Sequence, residues 1–181
     1  MARYKAGLET RRRILAATRD ALAEHGPDGT TLKVICDRAG VQPGSFYNLF
    51  PSKEEAILTV VREAIEAVDP HPDGVGVDTP DELVEAYVTF LEHQPLLARV
   101  YLQIALTGAV ADGHVLGRIR RHRERRVERF TDAIARAEGL TDRSEAERRA
   151  VMLLATLDGL AVATFLDPSL DVRKRAAGLL D

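Results

Sequence analysis

Residues 39–55, AGVQPGSFYNLFPSKEE, constrain this chain more than any other stretch. Gly40, Pro43 and Gly44 crowd together beside apolar and aromatic residues that belong in a core, and the segment ends on a run of charge. Glycine at a sharp reversal can take positive φ, and proline at the first position of a helix brings a backbone angle that is already helical. The stretch therefore predicts two short helices crossing at a tight turn: Leu32–Arg38, a reversal at Gly40, and a second helix from Pro43 to Leu49 with Gln42 as its N-cap. Ile35, Ala39, Val41, Phe46 and Leu49 are the expected inward set, and Cys36 is the small residue where the helices meet. Ser52 opens a further helix, expected to reach Val68. Glu54 and Glu55 sit in its first turn, and Ser52 and Glu55 are spaced as a capping box.

Helical periodicity dominates elsewhere, so the expected fold class is all-α. Ile14, Leu15, Thr18, Ala21 and Leu22 fall on one face of a helix that should stop at Gly26-Pro27. Further helices are expected near 80–92, 95–110, 114–138 and 144–166, with a shorter one after Pro168. The segment DPHPDGVGVDTP, residues 69–80, has no periodic pattern and reads as a linker. These signals divide the chain into a head over residues 1–53, a connector helix over 52–68, and a second domain over 69–181.

The chain has 181 residues, 45% of them apolar, enough for one or two real cores. Its net charge of −3 hides strong segregation: nine Lys and Arg against five Asp and Glu in residues 1–53, but two against twelve in 54–113. Residues 114–149 turn basic again, with eleven against seven. Local charge decides docking on phosphates, so the basic head is compatible with nucleic acid. Arg3, Lys5 and the Arg11-Arg12-Arg13 run are a candidate basic arm for the minor groove, or simply a solvated face. The arginines from Arg118 to Arg129 read as a solvated helix partly neutralised by the acidic region before it.

Cys36 is the only cysteine, which rules out an intrachain disulfide and fits a reducing cytoplasm. No secretory signal is visible at the N-terminus. Ala150–Leu166 is nearly continuous apolar sequence, but Asp158 at its middle argues against a membrane span; it reads as a helix covered on both sides. His25, His71, His93, His114 and His122 lack metal spacing, and no activated nucleophile or phosphate-cradling loop is visible, so neither an enzyme nor a metal or cofactor is expected.

Taken with the helix closing at Gly26, Thr30-Thr31, Ile35, Ala39-Gly40-Val41, Gly44-Ser45-Phe46-Tyr47, Phe50 and Ser52-Lys53-Glu54 resemble the TetR family of bacterial transcriptional regulators over residues 9 to about 60. Cys36 stands where that family usually has alanine, and Gln42 where it usually has serine. The resemblance implies an N-terminal three-helix helix–turn–helix DNA-binding domain and a C-terminal helical domain for ligand binding and dimerisation. It implies that Thr31, Tyr47 and Lys53 grip phosphates. Gln42, Ser45 and Asn48 are candidates for base edges, with Pro43 against a thymine methyl, Gly44 allowing close backbone approach, and Lys33 completing the DNA-binding set.

The expected function is ligand-responsive transcriptional regulation, as a repressor released from its operator. An interaction protein of the same fold without operator binding is the alternative. A C2 homodimer through helix 144–166 and the C-terminal helices would carry two reading helices to successive major grooves about 34 Å apart. A chamber among the C-terminal helices should take a small apolar or aromatic effector. Its candidate lining is Ile65, Tyr87, Phe90, Leu91, Tyr101, Leu102, Ala105, Phe130, Ile134, Met152 and Thr156, with Gln103 and His122 as polar anchors.

Overall fold

The computed structural model describes residues 2–71, 76–111 and 113–179. Among them all regular structure is helical: α1 (Ala2–Gly29), α2 (Leu32–Ala39), α3 (Pro43–Tyr47), α4 (Lys53–Glu66), α5 (Pro80–His93), α6 (Pro95–Ala111), α7 (Gly113–Glu138), α8 (Arg143–Leu166) and α9 (Val172–Ala176). Two compact units divide the chain, Met1–Glu63 and Ala64–Asp181, and the boundary falls inside α4.

The first unit is built on the stripe expected of α1: Ile14, Thr18, Ala21 and Leu22 are buried. Thr18 is tolerated there because its hydroxyl donates to the Ile14 carbonyl at 2.8 Å, so no polar atom is left unpaired. The helix breaks at Gly26, whose φ of 66° and ψ of −176° are open to glycine and costly for other residues. Toward its other end α1 continues back to Ala2, so Lys5 belongs to a helix and not to a flexible arm; the Arg3 side chain lies outside the described residues.

The second unit holds α5 to α9, with α7 against α8 as its most extensive helix pairing. Thr79 and Glu82 close a capping box at the start of α5, where Thr-Pro-Asp-Glu carried a signal that the periodicity reading passed over. Residues 72–75 of the expected linker lie outside the described residues, but its flanks are fixed. Arg129 of α7 holds both carboxylate oxygens of Asp69 at 2.6 Å and both of Asp78 at 2.6 and 2.7 Å, and Arg136 donates to the Asp78 carbonyl at 2.6 Å. Arg173 likewise ties α9 to α5 through Glu85 and Glu92.

α8 is long and apolar enough to cross a membrane by length and composition alone. Within the unit only one of its faces is covered, through Ala146, Ala150, Leu153, Leu154, Leu157 and Ala161. The other face, the side expected to meet a second subunit, is exposed in the single chain: Met152 is 72% exposed, Val162 44% and Leu166 82%.

Candidate nucleic-acid interface and internal cavity

The head forms its turn as the residues dictate. Gly40 caps α2 in the left-handed region, φ 62° and ψ 43°, and its N–H bonds back to α2 carbonyls. Arg13 braces the same corner by donating to the Ala39 carbonyl at 3.0 Å. Ile35, Cys36, Ala39 and Phe46 are buried, whereas Val41 and Leu49 are half-buried. Phe46 is the anchor of α3: it has no exposed surface, and the rings of Tyr47 and Phe50 lie 5.8 and 5.7 Å from its own.

On the opposite side of α3, Gln42, Pro43, Gly44, Ser45, Tyr47 and Asn48 are all exposed. Gln42 is the N-cap by backbone geometry, yet its side chain makes no capping hydrogen bond and its amide remains available to a partner. A Cβ placed on Gly44 would meet nothing within 4 Å, so the protein itself does not require glycine there.

The remaining head candidates have internal work as well. Thr31 caps α2, its hydroxyl oxygen accepting from the Val34 N–H at 3.2 Å, while the hydroxyl hydrogen stays free to donate. Lys33 pairs with Asp37 at 2.9 Å on the surface. Lys53 donates to the Thr30 carbonyl at 3.2 Å, which fixes the start of α4 beside the α1–α2 corner. Arg11 stacks 5.5 Å from the Phe50 ring and lies 3.9 Å from Glu63. Two members of the arginine run, Arg11 and Arg13, are thus structural; Arg12 remains largely solvated beside Glu9.

The second unit contains a cavity of about 110 Å³. Of the candidates, Ile65, Tyr87, Phe90, Leu91, Tyr101, Leu102, His122 and Phe130 line it. Ala105, Gln103 and Ile134 do not reach it, and Met152 and Thr156 are exposed on α8, because the rotation of α8 turns Leu153, Leu154 and Leu157 inward instead. Sequence reasoning missed the charged part of the wall: Arg126, Arg129, Asp69 and Asp158. The signal was present in Asp158 itself, a lone acid in an apolar helix, which here has partners.

Tyr87 donates its hydroxyl to Asp158 Oδ1 at 3.0 Å, and Arg126 donates to the same oxygen at 3.2 Å with its guanidinium 4.8 Å from the Tyr87 ring centre. Burial and the neighbouring carboxylate push the Tyr87 phenol well above its ordinary value. Tyr101 and His122 share a hydrogen bond of 2.9 Å through the Tyr101 hydroxyl and His122 Nδ1. Burial, with Arg126 and Arg125 nearby, pushes His122 down to about 4, so at neutral pH the imidazole is uncharged. Among the described residues no group of three or more His, Cys, Asp and Glu is placed to hold a metal ion.

A three-helix head with an outward-facing third helix, followed by a helical unit with a cavity, defines an all-helical protein of the helix–turn–helix class. The family model described as bacterial regulatory proteins, tetR family, matches residues 14–58. The similarity to the TetR family is carried by these head residues. It is 32% identical over 96 residues to the HTH-type transcriptional regulator UidR of Escherichia coli strain K12, a match covering 47% of this chain and 44% of that protein. The chain thus matches less than half the length of these curated relatives. Across nearly the whole chain it resembles Salmonella enterica GusR, at 26% identity and a TM-score of 0.64 over 94% of this chain and 95% of that one. It also resembles SmeT, the repressor of the Stenotrophomonas maltophilia multidrug efflux pump SmeDEF, at 25% identity and a TM-score of 0.66 over 96% and 89%. UidR is thus a transcriptional regulator and SmeT a repressor.

Proposed function

We propose that this protein is a ligand-responsive, operator-binding regulator that acts in the cytoplasm as a repressor, released from DNA by a small effector. The observation that carries the reading is α3, pinned from below by the fully buried Phe46 while every polar side chain from Gln42 to Asn48 faces outward. A helix held this way enters a major groove. Gln42 and Asn48 carry amides suited to the N6 and N7 edge of adenine, and Pro43 packs on a thymine methyl. Thr31, Lys33, Tyr47 and Lys53 supply the hydroxyls and ammonium groups that phosphates recruit.

Two heads are needed for two half-sites, and the exposed apolar face of α8 supports a dimer through α8 and α9. Met152, Val162 and Leu166 at 72%, 44% and 82% exposure are a poor surface to leave in water. The effector occupies the cavity. α4 is one continuous helix that begins at Lys53 and carries Ile65 of the cavity wall near its end. Occupancy shifts α4 and changes the half-site spacing, at a coupling typical of such systems, about 1–3 kcal/mol.

A gel shift with the DNA upstream of the protein's own coding sequence tests this. A retarded complex that Tyr47→Ala weakens is expected. The absence of any complex, with the protein folded and dimeric, contradicts operator binding and favours an interaction protein of the same fold.

A further inference from the structure

The cavity has one unfinished polar group. Arg126 spends Nη1 on Asp158, but its Nη2 is buried and, among the described residues, meets no acceptor. A buried N–H without a partner is costly, so whatever fills the cavity gains by bringing an oxygen to it.

Charge decides which kind of oxygen. Of the lining groups, Arg126 is paired with Asp158, which Arg123 also approaches to 4.0 Å from outside the lining, and Arg129 is matched by Asp69 with Asp78 beside it. A ligand carboxylate on Nη2 would share one guanidinium with the Asp158 carboxylate, and like charges held that close repel. A ligand ammonium would meet the Arg126 guanidinium itself. An uncharged acceptor escapes both penalties. The cavity, about 110 Å³, is close to the roughly 150 Å³ that houses a single benzene ring in an apolar protein interior. Its walls include the rings of Tyr87, Phe90 and Phe130.

We propose, building on the reading of this cavity as the effector site, that the effector is a small uncharged molecule with a ring-sized apolar body and one carbonyl-type oxygen that accepts from Arg126 Nη2. The oxygen fixes orientation and the aromatic walls hold the body.

Calorimetric titration of the full chain with three compounds of nearly equal shape tests this: acetophenone, benzoate and ethylbenzene. Acetophenone is expected to bind about tenfold or more tightly than either of the others, the gain of one hydrogen bond to a charged donor. Arg126→Leu should erase that advantage, bringing acetophenone level with ethylbenzene within the variant; Arg126→Met, unbranched and without a donor, answers the same question if the leucine variant does not fold. Benzoate binding more tightly than acetophenone, parity of acetophenone and ethylbenzene, binding by none of the three, or an advantage that survives both substitutions each overturns the inference. DNA release is scored separately. Tight acetophenone binding with operator affinity unchanged contradicts the regulatory reading and leaves the ligand class standing, whereas DNA release driven by benzoate alone contradicts only the ligand class.

Discussion

Arg129 and Asp69 form a two-pronged ion pair, Nη1 and Nη2 each donating to one carboxylate oxygen at 2.6 Å. Asp69 lies just beyond the end of α4 and Arg129 lies on α7, so the pair anchors the exit of the connector helix to the wall of the cavity. The Arg129 guanidinium holds the Asp69 carboxyl below the usual carboxylate range.

Removing that arginine strands two carboxylates, one of them the almost fully buried Asp78. Breaking a buried pair costs about 3–5 kcal/mol, and about a third of the Arg129 side chain is exposed, so Arg129→Met is expected to lose about 2 kcal/mol. Urea unfolding measures it; a loss below about 0.5 kcal/mol, the scatter of an ordinary surface change, contradicts a structural role for the clamp.

His122 makes stability depend on pH. Its folded value of about 4 lies below its ordinary 6.5, so between these limits the unfolded chain binds the proton that the folded chain refuses. Stability is therefore complete above 6.5 and falls as pH drops toward 4, with a slope approaching about 1.4 kcal/mol per pH unit. Asp69, depressed below 3.8, acts in the other window: its contribution is present above that value and is lost in stronger acid. Subtracting the stability curve of His122→Gln from that of the natural protein isolates the histidine. A flat difference between pH 4 and 6.5 contradicts the buried neutral imidazole.

Gly44 separates folding from recognition. Nothing in the protein meets a Cβ there, so Gly44→Ala is expected to hold or raise stability, by up to about 1 kcal/mol. If α3 lies in the major groove as proposed, the same methyl would stand between its backbone and the duplex, and affinity is expected to fall about tenfold or more. Thermal unfolding beside anisotropy titration reads both; equal affinity of the two proteins removes Gly44 from the interface.

Lys53 and Gln42 are expected to divide the labour of binding. Losing one phosphate contact lowers the slope of log K against log salt by about 0.9 on every duplex, the expectation for Lys53→Ala. Lys53 also donates to the Thr30 carbonyl, so the slope and not the affinity alone is the diagnostic. Gln42→Ala is expected to leave the slope in place and relax preference at one base pair. Identical effects of both changes on all sequences contradict the division.

The head was legible from sequence because each of its devices depends on one residue type: glycine at positive φ, proline at a helix start, a phenylalanine beneath a polar face. Positive φ at Gly26 and Gly40 and the buried Phe46 sit where those types demand. The cavity was legible in its apolar lining and in His122, but not in its charged groups. Apolar spacing points Tyr87, Phe90 and Phe130 inward, but Arg126 and Arg129 sit among arginines that face water, and sequence alone does not separate them. Their inward turn depends on carboxylates far along the chain, Asp158 and Asp69, a pairing that only the packing of α7 against its neighbours reveals. Met152 and Thr156 failed for the opposite reason: a helix apolar on most faces does not say which face its own chain covers.

Selection of bound duplexes from a random pool, followed by sequencing, tests most directly whether α3 reads DNA. The account predicts enrichment of a two-fold symmetric site with half-sites about one helical turn apart, and a changed base preference in that site for Gln42→Ala. A folded, dimeric protein that enriches no sequence, or enriches the same symmetric site with the exposed face of α3 replaced by alanine, contradicts it.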